Sequence, residues 1–171
     1  RKRRKRRTAS HKLPAMTNKH WLLCILLAVC LFTACNQSLT VYYHYEDTPE
    51  SGWEQYDQLT FDTDRLADDA TYQEEVALRI NNRYPYMQVR LIVQQTVYPS
   101  GLTTTDMLDC DLIDEHGNAM GQGVSQYQYI FPLKTLQLHR GDSLHVSVRH
   151  DMNREILPGI TSIGIKLSKK E

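Results

Sequence analysis

Apolar and polar residues alternate with a period of two along much of the chain after residue 40. Val41-Tyr42-Tyr43-His44-Tyr45 is rich in strand-favouring residues, and Leu59 and Phe61 alternate with Thr60 and Asp62. The same alternation runs through residues 76–80, 87–93, 108–112, 144–148 and 163–167. Such spacing puts successive side chains on opposite faces of an extended strand, one face buried and one wet. Turn-forming residues separate the runs at Tyr84-Pro85, Pro99-Ser100-Gly101, Glu115-His116-Gly117-Asn118, Arg140-Gly141-Asp142 and Pro158-Gly159. The pattern predicts an all-β domain over residues 41–171. Its seven or eight strands make a single β-sandwich of immunoglobulin-like or jelly-roll-like type. Residues 64–75 lean towards helix but are too polar for a core helix, and are read as a loop or short turn.

The pattern changes upstream. Residues 21–32 (WLLCILLAVCLF) form an unbroken apolar run of twelve. A helix needs about 20 such residues to cross a hydrocarbon core, so the run is the length of a signal-peptide h-region. Basic residues precede it, the small residues Thr33 and Ala34 follow it, and Cys35 comes next. Leu31-Phe32-Thr33-Ala34-Cys35 resembles a bacterial lipobox, with Phe32 where leucine is commoner. The resemblance implies cleavage before Cys35 and a lipid on its sulfur. Residues 1–34 are then a removed leader, with 1–15 read as an extension ahead of a start at Met16. Residues 35–40 form a lipidated cysteine and short tether. Asn36 stands where an inner-membrane retention aspartate commonly sits in related export systems, and no acidic run follows. By analogy this points to the periplasmic face of the outer membrane.

Overall charge conceals this division. The chain carries 20 basic and 20 acidic residues, yet nine of the basic ones and none of the acidic ones precede Cys35. The remainder holds eleven basic against twenty acidic residues, a formal charge of −9. Nucleic acid is therefore not an expected partner, because phosphate contacts require a basic face.

Candidate chemistry is sparse. Asp106, Asp109, Asp111, Asp114 and Glu115 make the most metal-like cluster, but an EF-hand loop needs glycine at its sixth position and Gly117 is misplaced. A solvated strand face ending in a turn explains them. His44, His116, His139, His145 and His150 show no zinc spacing and are expected at the surface or in turns. With Cys24 and Cys30 in the leader and Cys35 lipidated, Cys110 is the one remaining thiol, expected as a small core residue. Arg140-Gly141-Asp142 spells an adhesion tripeptide, better explained as a hairpin turn. Nucleophile-elbow, lysine-paired serine and phosphate-loop motifs are missing, and Gly121-Gln122-Gly123 lacks a dinucleotide-site context. No catalytic residue, cofactor or metal is expected. The ten tyrosines leave one rival open, a lipid-tethered glycan- or ligand-binding sandwich with coplanar exposed rings.

Several segments, taken in order, resemble the gliding motility lipoprotein family GldH of Bacteroidetes. They are the lipobox cysteine, Trp53, Leu78-Arg79-Ile80-Asn81-Asn82 with Tyr84-Pro85-Tyr86, and Pro99-x-Gly101. Further on come Asp106, then Cys110-x-Leu112-x-Asp114-x-x-Gly117, Gly121-x-Gly123, Met152, Leu157-Pro158-Gly159-Ile160 and Ile163-Gly164-Ile165. The chain departs from the family at Asn118-Ala119-Met120, where a tryptophan is usual, and at Arg154, one place later than expected. The resemblance implies a non-enzymatic accessory lipoprotein of the gliding and associated secretion apparatus. It would be held to the membrane through Cys35 and would dock protein partners of a cell-envelope complex.

Overall fold

A computed structural model describes residues 39–170. The leader, the apolar run and Cys35 lie outside the described residues. Eight strands of four residues or more carry the fold: β1 (Leu39–Asp47), β3 (Leu59–Asp62), β4 (Ala70–Asn81), β5 (Gln88–Tyr98), β6 (Leu102–Asp111), β8 (Gln126–Leu138), β9 (Ser143–His150) and β11 (Ile160–Lys169). Three two-residue strands complete the set, namely β2 (Trp53–Glu54), β7 (Gln122–Gly123) and β10 (Ile156–Leu157). All pairings are antiparallel.

One sheet has the order β1-β11-β4-β8-β7, the other β3-β9-β5-β6, and β10 pairs with β2 alone. Among the eight long strands the pairings nest. The middle two, β5 and β6, form a hairpin; β4 pairs with β8, β3 with β9, and β1 with β11. A single long hairpin folded over itself into two layers produces this order, which makes the sandwich a jelly roll rather than an immunoglobulin fold. Val76, Leu78, Ile80, Ile163, Ile165 and Leu167 of the first sheet form one buried cluster with Phe61, Leu91, Val93, Leu144, Val146 and Val148 of the second. Burying about 25 cal/mol for each Å² of apolar surface is what holds the layers together.

Three expectations need correction. The stretch 64–75 is loop only to residue 69; β4 begins at Ala70, and Tyr72 and Glu74 are buried. Strand β8, the longest at thirteen residues, lacks a continuous alternation in the sequence because its register shifts opposite Glu74 and Glu75. Leu133 is the extra residue between Pro132 and Lys134, so the period of two breaks there, and an internal proline weakens the strand signal further. The Arg140-Gly141-Asp142 turn links β8 of one sheet to β9 of the other, and so is not a hairpin.

The nesting sorts the loops into two groups. The start of β1, the end of β11, the β5–β6 tip and the turns after β3 and β8 share one end, the tip end. Residues 48–58, 82–87, 112–125 and 151–159 make the opposite, loop end.

Candidate docking surface

The loop end is stitched together by buried aromatic side chains with polar tips. Trp53 is 0% exposed, and its Nε1 donates to the Asp57 carbonyl at 3.0 Å. His150 is also fully buried, which corrects the expectation of a surface histidine. Its Nδ1 accepts from the Met152 amide at 3.4 Å, so the proton sits on Nε2, which donates to the Trp53 carbonyl at 3.1 Å. Burial lowers the imidazole pKa, keeping the ring neutral in this role. The two rings meet edge to face at 5.2 Å.

Neighbouring loops are tied in the same way. The β2–β10 ribbon pairs Trp53 with Leu157 and Glu54 with Ile156, joining segment 48–58 to 151–159. Gly159 has a φ of +84°, and a Cβ there would collide with the backbone of Arg83 and Tyr84, so only glycine lets these loops approach. Tyr84 donates its hydroxyl to the Gln88 carbonyl at 2.8 Å, and Tyr129 donates to that of Leu112 at 2.8 Å. Arg154 reaches the Tyr86 hydroxyl at 2.8 Å. A surface held this firmly loses little freedom when a partner binds.

On this frame sit exposed apolar side chains, including Tyr56, Met87, Met120, Val124 and Ile156. A cleft of about 360 Å³ opens between Tyr86, Arg90, Asp109, Met152 and Arg154. Another, of about 310 Å³, lies against Met120, Gly121, Tyr129 and Phe131. The loops of this end carry seven acidic against two basic side chains.

The acidic residues singled out from sequence do not converge. Asp106 pairs with Lys134, and Asp109 takes a two-pronged contact from Arg90 at 2.6 and 3.2 Å. Asp111 accepts from Gln88 at 2.6 Å. Asp114 caps its own turn, accepting from the side chain and backbone of Asn118 and the backbone of His116, which holds its carboxyl below the usual range. No group of three or more His, Cys, Asp or Glu is placed to hold a metal among the described residues. His145 pairs with Asp62 at 2.7 Å and His44 with Glu46 at 3.0 Å. Cys110 is fully buried between the sheets, and burial pushes its thiol up to about 12, which leaves it inert.

The least expected group is Glu74. It points into the sandwich on the same face as Val76 and Leu78 and is 0% exposed. Gln95 of β5 satisfies its neighbours when its amide nitrogen faces Glu74, donating at 2.5 and 2.9 Å, while its oxygen accepts from Thr104 and Lys134. Lys134 of β8 also reaches Thr104 at 2.7 Å and Asp106, both on β6. The cluster thus pins the β6 and β8 edges to each other across the sandwich. Burial raises the Glu74 carboxyl to about 7, with Lys134 pulling it down and Asp106 pushing it further up. An acid poised near 7 often marks a catalytic site, but nothing in solution reaches this one, and its role is to join the sheets. The signal was legible in outline, since Glu74 falls in phase with Val76, Leu78 and Ile80.

The tyrosines of β1 bear on the glycan reading. Tyr43 and Tyr45 lie on the outer face of the first sheet, with centroids 5.2 Å apart and planes 47° from each other. The Arg79 guanidinium covers the Tyr45 ring at 3.8 Å. A flat stacking platform for a sugar requires coplanar, uncovered rings, and this pair provides neither.

Comparison with known proteins places this geometry in a family. The family model described as GldH lipoprotein matches residues 40–167. The gliding motility lipoprotein GldH of Flavobacterium johnsoniae is 29% identical over 154 residues, covering 86% of this chain and 95% of its own. A protein described as a GldH homolog, from Christiangramia forsetii, is 23% identical over 155 residues, covering 85% of this chain and 93% of its own. Among solved structures, a family GH115 4-O-methyl-α-glucuronidase matches 81% of this chain and 18% of its own, with a TM-score of 0.46 and 15% identity. That last likeness carries no functional meaning. The family match spans nearly all of the jelly roll, and the chain belongs to the GldH lipoprotein family.

Proposed function

We propose that this chain is a lipid-anchored, non-enzymatic accessory component of the gliding motility and associated secretion machinery. The match of the whole β-domain to the GldH lipoprotein family, with relatives covered along more than nine-tenths of their length, carries this reading. Cys35 takes the lipid, and Asn36 after it favours the periplasmic face of the outer membrane. The jelly roll then docks a protein partner through the pinned loop end. Seven acidic side chains against two at that end fit a partner with a basic face.

The first test is Cys35→Ala in a Bacteroidetes host, read by intact mass and membrane fractionation. Wild type is expected to begin at residue 35, carry acyl mass and sediment with the outer membrane, whereas the variant does none of these. If both proteins distribute alike, Cys35 is not the anchor. Pull-down of the wild-type protein from that membrane should recover a partner whose retention falls steeply with added salt. Salt-independent retention would remove the basic-face reading.

A further inference from the structure

We infer that the tip end of the jelly roll rests on the bilayer, with Leu39, Tyr98 and Leu102 in the membrane interface. The inference rests on the lipid at Cys35 proposed above. Four residues of chain take Cys35 to Leu39, the first residue of β1. At about 3.5 Å per residue, they reach no more than about 14 Å. A strand of nine residues is longer than that. The end at which β1 begins is therefore the one the lipid holds close to the membrane.

What lies at this end suits an interface. Leu39 is 64% exposed, Tyr98 50% and Leu102 63%, although each has a large apolar side chain. Tyr98 and Leu102 flank the same hairpin tip, and Leu102 pairs opposite Val97, so the tip carries an exposed apolar side chain on each of its faces. Beside the tip runs a cleft lined by Val97, Pro99, Leu102 and Leu138. Tyrosine is favoured at the headgroup level, where its ring is buried and its hydroxyl stays wet.

Charge separates the two ends. Residues 63–69, 98–102, 139–142 and 169–170 together carry four basic and four acidic side chains, so the tip end is balanced. The loop end, with its excess of five acids, is repelled by an anionic surface. Short tether, apolar tip and charge asymmetry all orient the domain the same way. This orientation also leaves the loop end facing away from the membrane.

The test uses the full lipidated protein in vesicles of phosphatidylethanolamine and phosphatidylglycerol. Leu102→Cys and Val124→Cys each receive an environment-sensitive fluorophore; buried Cys110 stays unlabelled. Flotation first reports whether the protein is bound. The expected result is a blue-shifted label at position 102, quenched by spin-labelled lipid several-fold more than the label at 124. Bound protein with equal quenching at both positions overturns the orientation while leaving the anchor intact. Protein that fails to float removes the anchor at Cys35, and the inference with it.

Discussion

Trp53→Ala is expected to destabilise the domain by about 3–5 kcal/mol, the range for deleting a large buried aromatic side chain. Trp53 is fully buried, stands edge to face with His150, and begins the β2–β10 ribbon that joins two loops. Removing the indole leaves a cavity between those loops and frees the Asp57 carbonyl from its donor. Urea unfolding would read the loss, and hydrogen exchange would locate it in segments 48–58 and 151–159. Trp53→Phe should recover most of the packing and lack the Nε1 bond, so it should fall about 1 kcal/mol or more below wild type. The Alanine variant is expected to remain lipidated and membrane-bound while losing its partner. Retained partner capture by a variant whose loops exchange freely would move the docking surface elsewhere.

Glu74→Gln is expected to abolish much of the domain's pH dependence of stability. The Glu74 carboxyl lies near 7 in the folded state against an ordinary value of 4.5. The folded state therefore holds its proton over a range in which the unfolded chain has released it. Stability from this group is greatest below about pH 4.5, falls as pH rises towards about 7, and is level beyond. The full drop is at most about 3 kcal/mol. Glutamine has the shape of the protonated acid and no charge to bury. The variant should match wild type at low pH and exceed it at about pH 8, as measured by urea midpoints across that range. Parallel pH profiles for the two proteins would show that Glu74 ionises without penalty in the fold.

These two residues mark how far the chain can be read before folding. Period-two spacing is a local property, set by side chains two apart, and it located most strands, the buried Cys110 and the turns at Gly101 and Gly141. Glu74 lies in phase with Val76 and Leu78, yet the polar run over residues 64–75 reads as loop or turn and conceals it. The expected leader and lipid cysteine and the family motifs are likewise local, since each is read from a short run of contiguous residues. Even so, β8 was hidden where a bulge at Leu133 shifted the register, because a bulge is defined by the opposing strand.

Everything that depends on distant partners came from the tertiary structure. The choice of jelly roll over immunoglobulin fold rests on β1 pairing with β11 and β3 with β9, contacts separated by most of the domain. Glu74 became an unusual acid through burial between the sheets, with Lys134 of β8 opposing the rise and Asp106 of β6 adding to it. His150 looked like a turn histidine until Trp53, 97 residues away, enclosed it. Asp106, Asp109 and Asp111 read as a strand face, and only pairing supplied their separate neighbours, Lys134, Arg90 and Gln88. The division into a balanced tip end and an acidic loop end exists only once nesting has sorted the loops. Side-chain phase is written in neighbouring residues, whereas burial, ionisation and surface charge are decided by whatever long-range pairing brings alongside.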